Sequence, residues 1–382
     1  MTTIHVAPDA VTESPAPAVA ATADLEERGA ALVDRIMRSA AGVFDIFTIH
    51  IGDQLGFYDA LARGGPQSAA ELAERTGTHE RYVREWLEQQ AVTGLLAVHR
   101  ETADAAARRF VLPAEHVEAL TDAESLSFLP PLAQSLAGAV RPLRYVLEAF
   151  RSGGGVPYGA YGKEFREGQA RSNRAMFLHQ LGQRWLAAVP DVHARLLAAP
   201  PARVADLGCG AGWSSIGIAR CYPDVRVDGI DVDEPSVELA RANAAAYGVA
   251  DRVRFAAADA REARPPGRHD LVIALEAVHD MADPVGVLRA MGRMARPDGA
   301  VLVVDEHVGE AFGDGSAELE WMMYGWSVLH CLPVCMAEDG SAGTGTVMRA
   351  DTLRGYAREA GFREVEVLPV EHPQFRFYRL HR

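Results

Sequence analysis

The sequence predicts an α/β protein in which a doubly wound parallel sheet follows an N-terminal, mostly helical domain. Three observations carry that prediction. After Pro201, short apolar runs alternate with amphipathic segments, the pattern of parallel strands joined by helices. The first of these runs, Arg203–Leu207, leads straight into three glycines, Gly208, Gly210 and Gly212. Upstream, residues 68–112 read as helix, tight turn, helix and two short strands, a winged-helix arrangement.

Taken in order, residues 1–24 are rich in Ala, Pro and Thr without periodicity and are expected to be a disordered leader. Residues 25–61 space Leu32, Ile36, Val43, Ile46, Ile49 and Leu55 as the buried stripe of a helix. Ser68-Ala-Ala-Glu71 is a capping-box pattern that opens a short helix closed by Gly77. Residues 79–90 form the second helix, and 95–98 with 110–112 form the wing. The winged-helix domain is thus placed at 25–113. Residues 114–198 read as a helical linker and lid, broken by the glycine run before Tyr158, Tyr161 and Phe165. A helix over 165–181 carries Asn173, Met176 and His179. Strands are expected at 203–207, 226–230, 253–257, 271–275 and 300–305, with helices at 234–247 and 284–294. Two β-rich runs, 363–369 and 374–380, suit a sheet closing on an antiparallel strand, and 199–382 forms the catalytic domain.

Bulk properties exclude several classes. The chain has 382 residues, 48% hydrophobic and 24% charged, enough for two ordinary globular domains. A net charge of −14 opposes non-specific attraction to nucleic acid or anionic membrane. In the second helix of the winged module, Arg81 and Arg84 are balanced by Glu80, Glu85 and Glu88, so packing and dimerisation are favoured there over groove reading. Four cysteines, Cys209, Cys221, Cys331 and Cys335, are too scattered for a disulfide framework, and no run reaches membrane-spanning length. A cytoplasmic, reduced protein is expected.

Ligands of open α/β sheets bind beyond the carboxyl ends of the strands. Trp213 stands where a dinucleotide fingerprint requires glycine, and Asp206 precedes the loop by two residues. This D-x-G-x-G-x-G order resembles the cofactor loop of class I S-adenosylmethionine methyltransferases. Asp231, 23 residues past Gly208, ends the second strand where a carboxylate accepts two hydrogen bonds from a ribose diol. Val232 then offers an apolar edge to adenine. Asp259 and Ala260 follow the third strand, where an acid could read the adenine amino group. Leu275 and Glu276 follow the fourth and approach the methionine end.

Methyl transfer is an in-line displacement, so the protein mainly aligns the acceptor and removes its proton. His279-Asp280 resembles the His-Asp pair of small-molecule O-methyltransferases, which implies His279 as general base. Glu306 lies where an acid could orient it. The bland alternatives are a packing histidine and a solvated strand-end acid. Asp305, Glu306, His307 and His279 could instead hold a divalent metal, but the expected helical roof resembles metal-free enzymes and no metal is predicted. Ser172-Asn173-Arg174-Ala175-Met176 resembles the lid motif of those enzymes, with serine replacing phenylalanine. Trp321, Met322, Met323, Tyr324, Trp326 and His330 form an aromatic and Met-rich stretch where such enzymes insert substrate-contacting helices. Core packing is its default reading.

Gly52-Asp-Gln-Leu-Gly-Phe-Tyr58, Arg81-Tyr-Val-Arg-Glu-Trp-Leu87 and Gly343-Thr-Gly-Thr-Val-Met348 extend the resemblance to actinobacterial class I methyltransferases with an N-terminal winged-helix domain. The resemblance implies a homodimer using S-adenosylmethionine, with S-adenosylhomocysteine as product, on a small partly apolar acceptor of specialised metabolism, most readily at oxygen. Sulfur, nitrogen and carbon acceptors stay open. So do a DNA regulator with S-adenosylmethionine as effector and a methyltransferase-like protein that performs no transfer.

Overall fold

The computed structural model describes residues 17–100, 102–265, 268–313 and 317–382. The chain opens with α1 (Pro17–Gln54) and α2 (Phe57–Gly64), followed by α3 (Ala69–Thr76), α4 (Glu80–Val92) and an antiparallel wing of β1 (Ala97–Arg100) and β2 (Arg109–Val111). Of the expected leader, residues 1–16 lie outside the described residues and 17–24 already belong to α1. The single helix expected over 25–61 is two, because Gly56 takes φ +68° between them, a conformation open to glycine. Ser68 and Glu71 form the reciprocal capping box at the start of α3.

The core of this domain explains two of the matched runs. Trp86 packs on Phe57 and Tyr58, and its Nε1 donates to the Thr48 carbonyl at 2.9 Å. Gly52 makes that approach possible, since a Cβ there would stand 2.4 Å from the indole. On α4, Arg84 pairs with Glu80 and Arg81 with Glu85, so its basic charge is spent within the helix.

The buried stripe expected on the first helix needs correction. Leu32, Ile36, Val43 and Leu55 are exposed in the single chain, as are Val33, Met37 and Phe44. Every described side chain from 24 to 44 faces solvent, because no element among the described residues covers it. Only towards its C-terminal end, at Ile46 and Ile49, does α1 settle onto the body.

A helical middle layer follows: α5 (Ala114–Thr121), α6 (Pro130–Ala139), α7 (Leu143–Ser152), α8 (Gly162–Met176) and α9 (Pro190–Leu197), with α8 running on as a π-helical segment, Phe177–Trp185. Helices α6 and α8 touch through glycines: a Cβ on Gly138 would lie 2.4 Å from the Phe165 nitrogen, and one on Gly168 2.5 Å from that of Ser135. Arg171 on α8 reaches Asp53 on α1 with two hydrogen bonds, 2.7 and 2.8 Å.

The sheet contains β3 (Arg203–Leu207), β4 (Arg226–Asp231), β5 (Val253–Ala257), β6 (His269–Leu275), β7 (Ala295–Glu306), β8 (Glu364–Val367) and β9 (Phe375–His381) in the order β5-β4-β3-β6-β7-β9-β8. The first five are mutually parallel; β9 runs antiparallel to β7 and β8. Helices α10 (Trp213–Cys221), α11 (Glu234–Ala246), α12 (Pro284–Met294), α13 (Ala317–Trp326), α14 (Leu332–Cys335) and α15 (Ala350–Glu359) complete it. All seven residues of β6 are buried, as befits a strand covered on both faces. Among the described residues no helix is long and apolar enough to cross a membrane.

Candidate functional site

One cavity of about 1060 Å³ opens above the carboxyl ends of β3, β4, β5, β6 and β7 and is roofed by α8 and α13. At its floor the chain leaves β3 through Gly208, Gly210 and Gly212, at φ +72°, +49° and +81°. Each glycine has its own reason. A Cβ on Gly208 would sit 2.6 Å from that of Ala277, and one on Gly212 2.6 Å from the Phe255 ring. At Gly210 a Cβ would meet no protein atom within 4 Å, so the space it leaves belongs to the cavity.

Asp231 closes this loop. Its Oδ2 accepts from the Gly210 N–H at 2.8 Å and its Oδ1 from the Asp233 N–H at 2.9 Å. Each oxygen keeps a lone pair for the cavity it lines. Burial pushes this carboxyl up, opposed by the backbone bonds. Asp233, which the sequence argument passed over, caps α11 through Ser236 and pairs with Arg166 of the roof at 2.6 and 3.0 Å.

Asp206 has a different task from the one expected. It is fully buried below the loop, does not line the cavity, and accepts from Ser214 and Ser215 hydroxyls, both at 2.6 Å. Burial pushes its carboxyl up to about 6 despite those bonds. Gly212 likewise packs inward. Val232, Asp259, Ala260, Leu275 and Glu276 do line the cavity. Val232 is 75% exposed, an apolar edge without a cover. Asp259 is clasped by Arg261, whose Nε lies 2.8 and 3.0 Å from its two oxygens. Glu276 is the only non-glycine residue with positive φ, +51°, among the described residues, and its Oε1 is buried without a hydrogen-bond partner. Burial pushes its carboxyl up to about 8, helped by the Glu306 charge.

His279 sits on a short turn after β6, 2% exposed. Its Nδ1 lies 2.7 Å from Asp305 Oδ1 and 3.1 Å from Glu306 Oε2, and its Nε2 lies 3.3 Å from Asp280 Oδ1. The orienting hydrogen bond therefore comes from Asp305, with Glu306 beside it. Burial alone would lower the imidazole, but Asp305, Glu306 and Asp280 outweigh it and hold it well above its ordinary value. Glu306 is pushed up to about 8 by burial, against the pull of His279. The Gly343–Met348 run braces this turn: the Gly345 N–H donates to the His279 carbonyl at 3.1 Å, and Ala342 to that of Ala282. Two groupings have metal-ligand composition, His279 with Asp305 and Glu306, and His279 with Asp280 and Cys331. The Nδ1 to Asp305 contact at 2.7 Å has the length of a hydrogen bond.

In the roof, Phe165, Asn173 and Met176 face the cavity together with Tyr158 and His330. Gln169 joins them, one turn from Phe165 and one from Asn173. Tyr161 stands behind them, its hydroxyl donating to the Leu329 carbonyl. His179 points away and pairs with Glu124 at 3.0 Å. Trp321, 70% exposed, and Tyr324, bonded to Arg349, do not line the cavity either. Their neighbours Met322, Met323 and Trp326 do. His330 stacks on Phe165 at 3.9 Å between ring centres, and burial drives it down to about 4, so it is neutral. The roof thus draws on both helices that carry π-helical segments, Phe177–Trp185 and Ser327–Cys331, a feature frequent at functional sites.

The strand-end residues fit S-adenosylmethionine: Asp231 has free lone pairs, Gly210 leaves open space, and Glu276 presents an unpartnered oxygen. Comparisons agree. Residues 204–299 match the methyltransferase domain, and residues 45–122 match the Rv2258c-like winged HTH domain. The ubiquinone biosynthesis O-methyltransferase of Ralstonia nicotianae is 31% identical over 170 residues, 44% of this chain and 66% of that protein. The 27-O-demethylrifamycin SV methyltransferase of Amycolatopsis mediterranei is 41% identical over 104 residues, 27% of this chain and 38% of that protein. The chain thus spans less than two thirds of these relatives' lengths. In fold, the mitomycin 7-O-methyltransferase MmcR aligns over 95% of this chain and 99% of its own, with a TM-score of 0.69 at 23% identity. Human N-acetylserotonin methyltransferase, solved with S-adenosylmethionine, aligns over 92% of this chain and 97% of its own, with a TM-score of 0.68 at 18% identity. The chain thus carries a matched methyltransferase domain and a matched Rv2258c-like winged HTH domain, and it shares the overall fold of these methyltransferases.

Proposed function

We propose that the protein is an S-adenosylmethionine-dependent methyltransferase that methylates a hydroxyl of a small, partly apolar acceptor of specialised metabolism in the cytoplasm. One observation carries the reading: the glycine loop, Asp231 and Glu276 share a single cavity with the buried His279 and the aromatic roof. When bound, S-adenosylmethionine supplies an electrophilic methyl group on a sulfonium. Gly208, Gly210, Asp231 and Val232 hold the nucleoside side, and Leu275 and Glu276 face the methionine side. His279 takes the acceptor's proton at Nε2, because Nδ1–H is committed to Asp305. Asp305 and Glu306 fix the ring and stabilise the imidazolium that forms. Tyr158, Phe165, Met176 and Trp326 align the apolar body of the acceptor and exclude water.

A homodimer goes with this reading. A 38-residue helix whose described side chains from 24 to 44 are all exposed is a poor structure in water, and a second copy is the cover that its apolar stripe suits. No nucleic acid or membrane is invoked, since the arginines of α4 are paired within the helix. The central test is calorimetric: wild-type protein binds S-adenosylmethionine, and Asp231→Ala loses that binding. Retained affinity in a folded Asp231→Ala variant would reject the assignment of this site.

A further inference from the structure

The cavity wall carries more negative charge than the described residues compensate. Arg166, Arg171 and Arg261 line it, and each is already bound to a carboxylate, Asp233, Asp53 and Asp259. Asp231 is answered by two backbone N–H groups. Of the other lining carboxyls, Glu338 meets Arg261 and Asp283 caps α12; Glu276, Asp280 and Glu306 remain, with Asp305 behind them, and the one imidazole of His279 answers Asp280, Asp305 and Glu306. Glu276 Oε1 and Asp305 Oδ2 are buried without a hydrogen-bond partner, and Asp280 Oδ1 and Glu306 Oε2 have the His279 ring at 3.3 and 3.1 Å. Burying a charge in that condition is costly unless something pairs with it.

Written fully ionised, the four carry two more negative charges than an imidazolium and the cofactor's one net positive charge supply. A second observation points the same way. His330, 3% exposed, also has an unpartnered Nε2, and it lies in the wall beside Tyr158, Phe165 and Trp326. A neutral imidazole does not repel a cation, and aromatic faces attract one.

On the methyltransferase reading above, we infer that the acceptor is itself a cation: an apolar, ring-bearing small molecule with a basic amine. Its ammonium docks between Glu276 and Glu306, and its ring lies against Tyr158, Phe165 and Met176. The amine is the handle; the atom methylated is the hydroxyl beside His279. In the free protein, protons on Glu276 and Glu306 relieve the excess charge. A docked ammonium replaces one of them and sends it to solvent.

The test uses three probes of one shape on the full chain saturated with S-adenosylhomocysteine: 2-phenylethylamine, 2-phenylethanol and 3-phenylpropionate, titrated by calorimetry. The amine is expected to bind about tenfold or more tightly than the alcohol, a difference of about 1.4 kcal/mol, with no binding by the carboxylate. Its advantage should shrink in Glu306→Gln and in Glu276→Gln. Binding in two buffers of different ionisation enthalpy should show proton release. An alcohol or carboxylate that binds as well as the amine overturns the inference, as does a preference that survives both substitutions together. The wild-type comparison needs no variant, so a misfolded mutant cannot shelter the idea. Titration with S-adenosylhomocysteine alone tests the methyltransferase reading separately: if it fails while the unloaded protein still prefers the amine, that reading falls and the cation site stands.

Discussion

At the scale of single residues, the site turns on an imidazole surrounded by acids. Asp305, Glu306 and Asp280 hold the buried His279 imidazole well above its ordinary value. A base works only when deprotonated, and kcat/KM should therefore climb with pH through a value above the usual histidine range. Asp305→Asn removes one of the charges that hold the proton, so the rising limb should shift to lower pH while the plateau falls. A limb that stays in place would reject Asp305 as the positioning group. His279→Gln should cut turnover by roughly 10²–10⁴-fold with S-adenosylmethionine binding kept; unchanged turnover removes it from the chemistry. The sequence pointed to this histidine and to an acid after the fifth strand, but it favoured Glu306. Asp305 and Glu306 are adjacent at a strand end, and which of them turns towards His279 depends on a bend that no spacing rule encodes. Asp206 was misplaced for a related reason. A carboxylate two residues before a glycine loop reads the same whether it faces a ligand or the two serines that open α10.

Among the elements, strands and their ends were the most legible. Helix α12 spans the predicted residues, and β3 and β5 begin and end where alternation placed them. The rotation of α13 was not legible. Its apolar stretch has no polar face to set the phase, and so Trp321 and Tyr324 were grouped with Met322 and Trp326, which turn the other way. The glycine loop offers a sharper element-level test. Gly210→Ala meets no protein atom but pays backbone strain of about 1–3 kcal/mol and fills ligand space, so cofactor affinity should fall more than stability. Gly208→Ala collides with Ala277 and should lower the melting temperature further. Equal effects of the two would contradict the assignment of open space at Gly210. Arg166→Ala severs the roof from the β4 turn and should weaken both cofactor and acceptor binding, read by calorimetry and KM, although Arg166 is remote in sequence from every strand end.

For the whole molecule, periodicity predicted a buried stripe on the first helix, and Leu32, Ile36, Val43 and Leu55 are instead exposed in the single chain. The same spacing arises whether the partner face lies in this chain or in another copy. At about 1.5 Å per residue, α1 is about 57 Å long, and its described side chains from 24 to 44 are exposed. Ile36→Glu with Phe44→Glu should give a monomer by sedimentation if a second copy covers the stripe; an unaltered wild-type dimer would place the interface elsewhere.

The Asp53–Arg171 clasp gives that long helix a mechanical meaning. Asp53 lies in the last turn of α1, and Arg171 lies midway along the helix that roofs the cavity. A rod gripped at its far end by another molecule and tied at its near end to a roof is a lever. If a second copy holds the outer half of α1, tilting it would pull on α8 through this clasp and change the headroom above His279. The double glutamate variant should then lose turnover while still binding the cofactor, although every side chain of its cavity is intact.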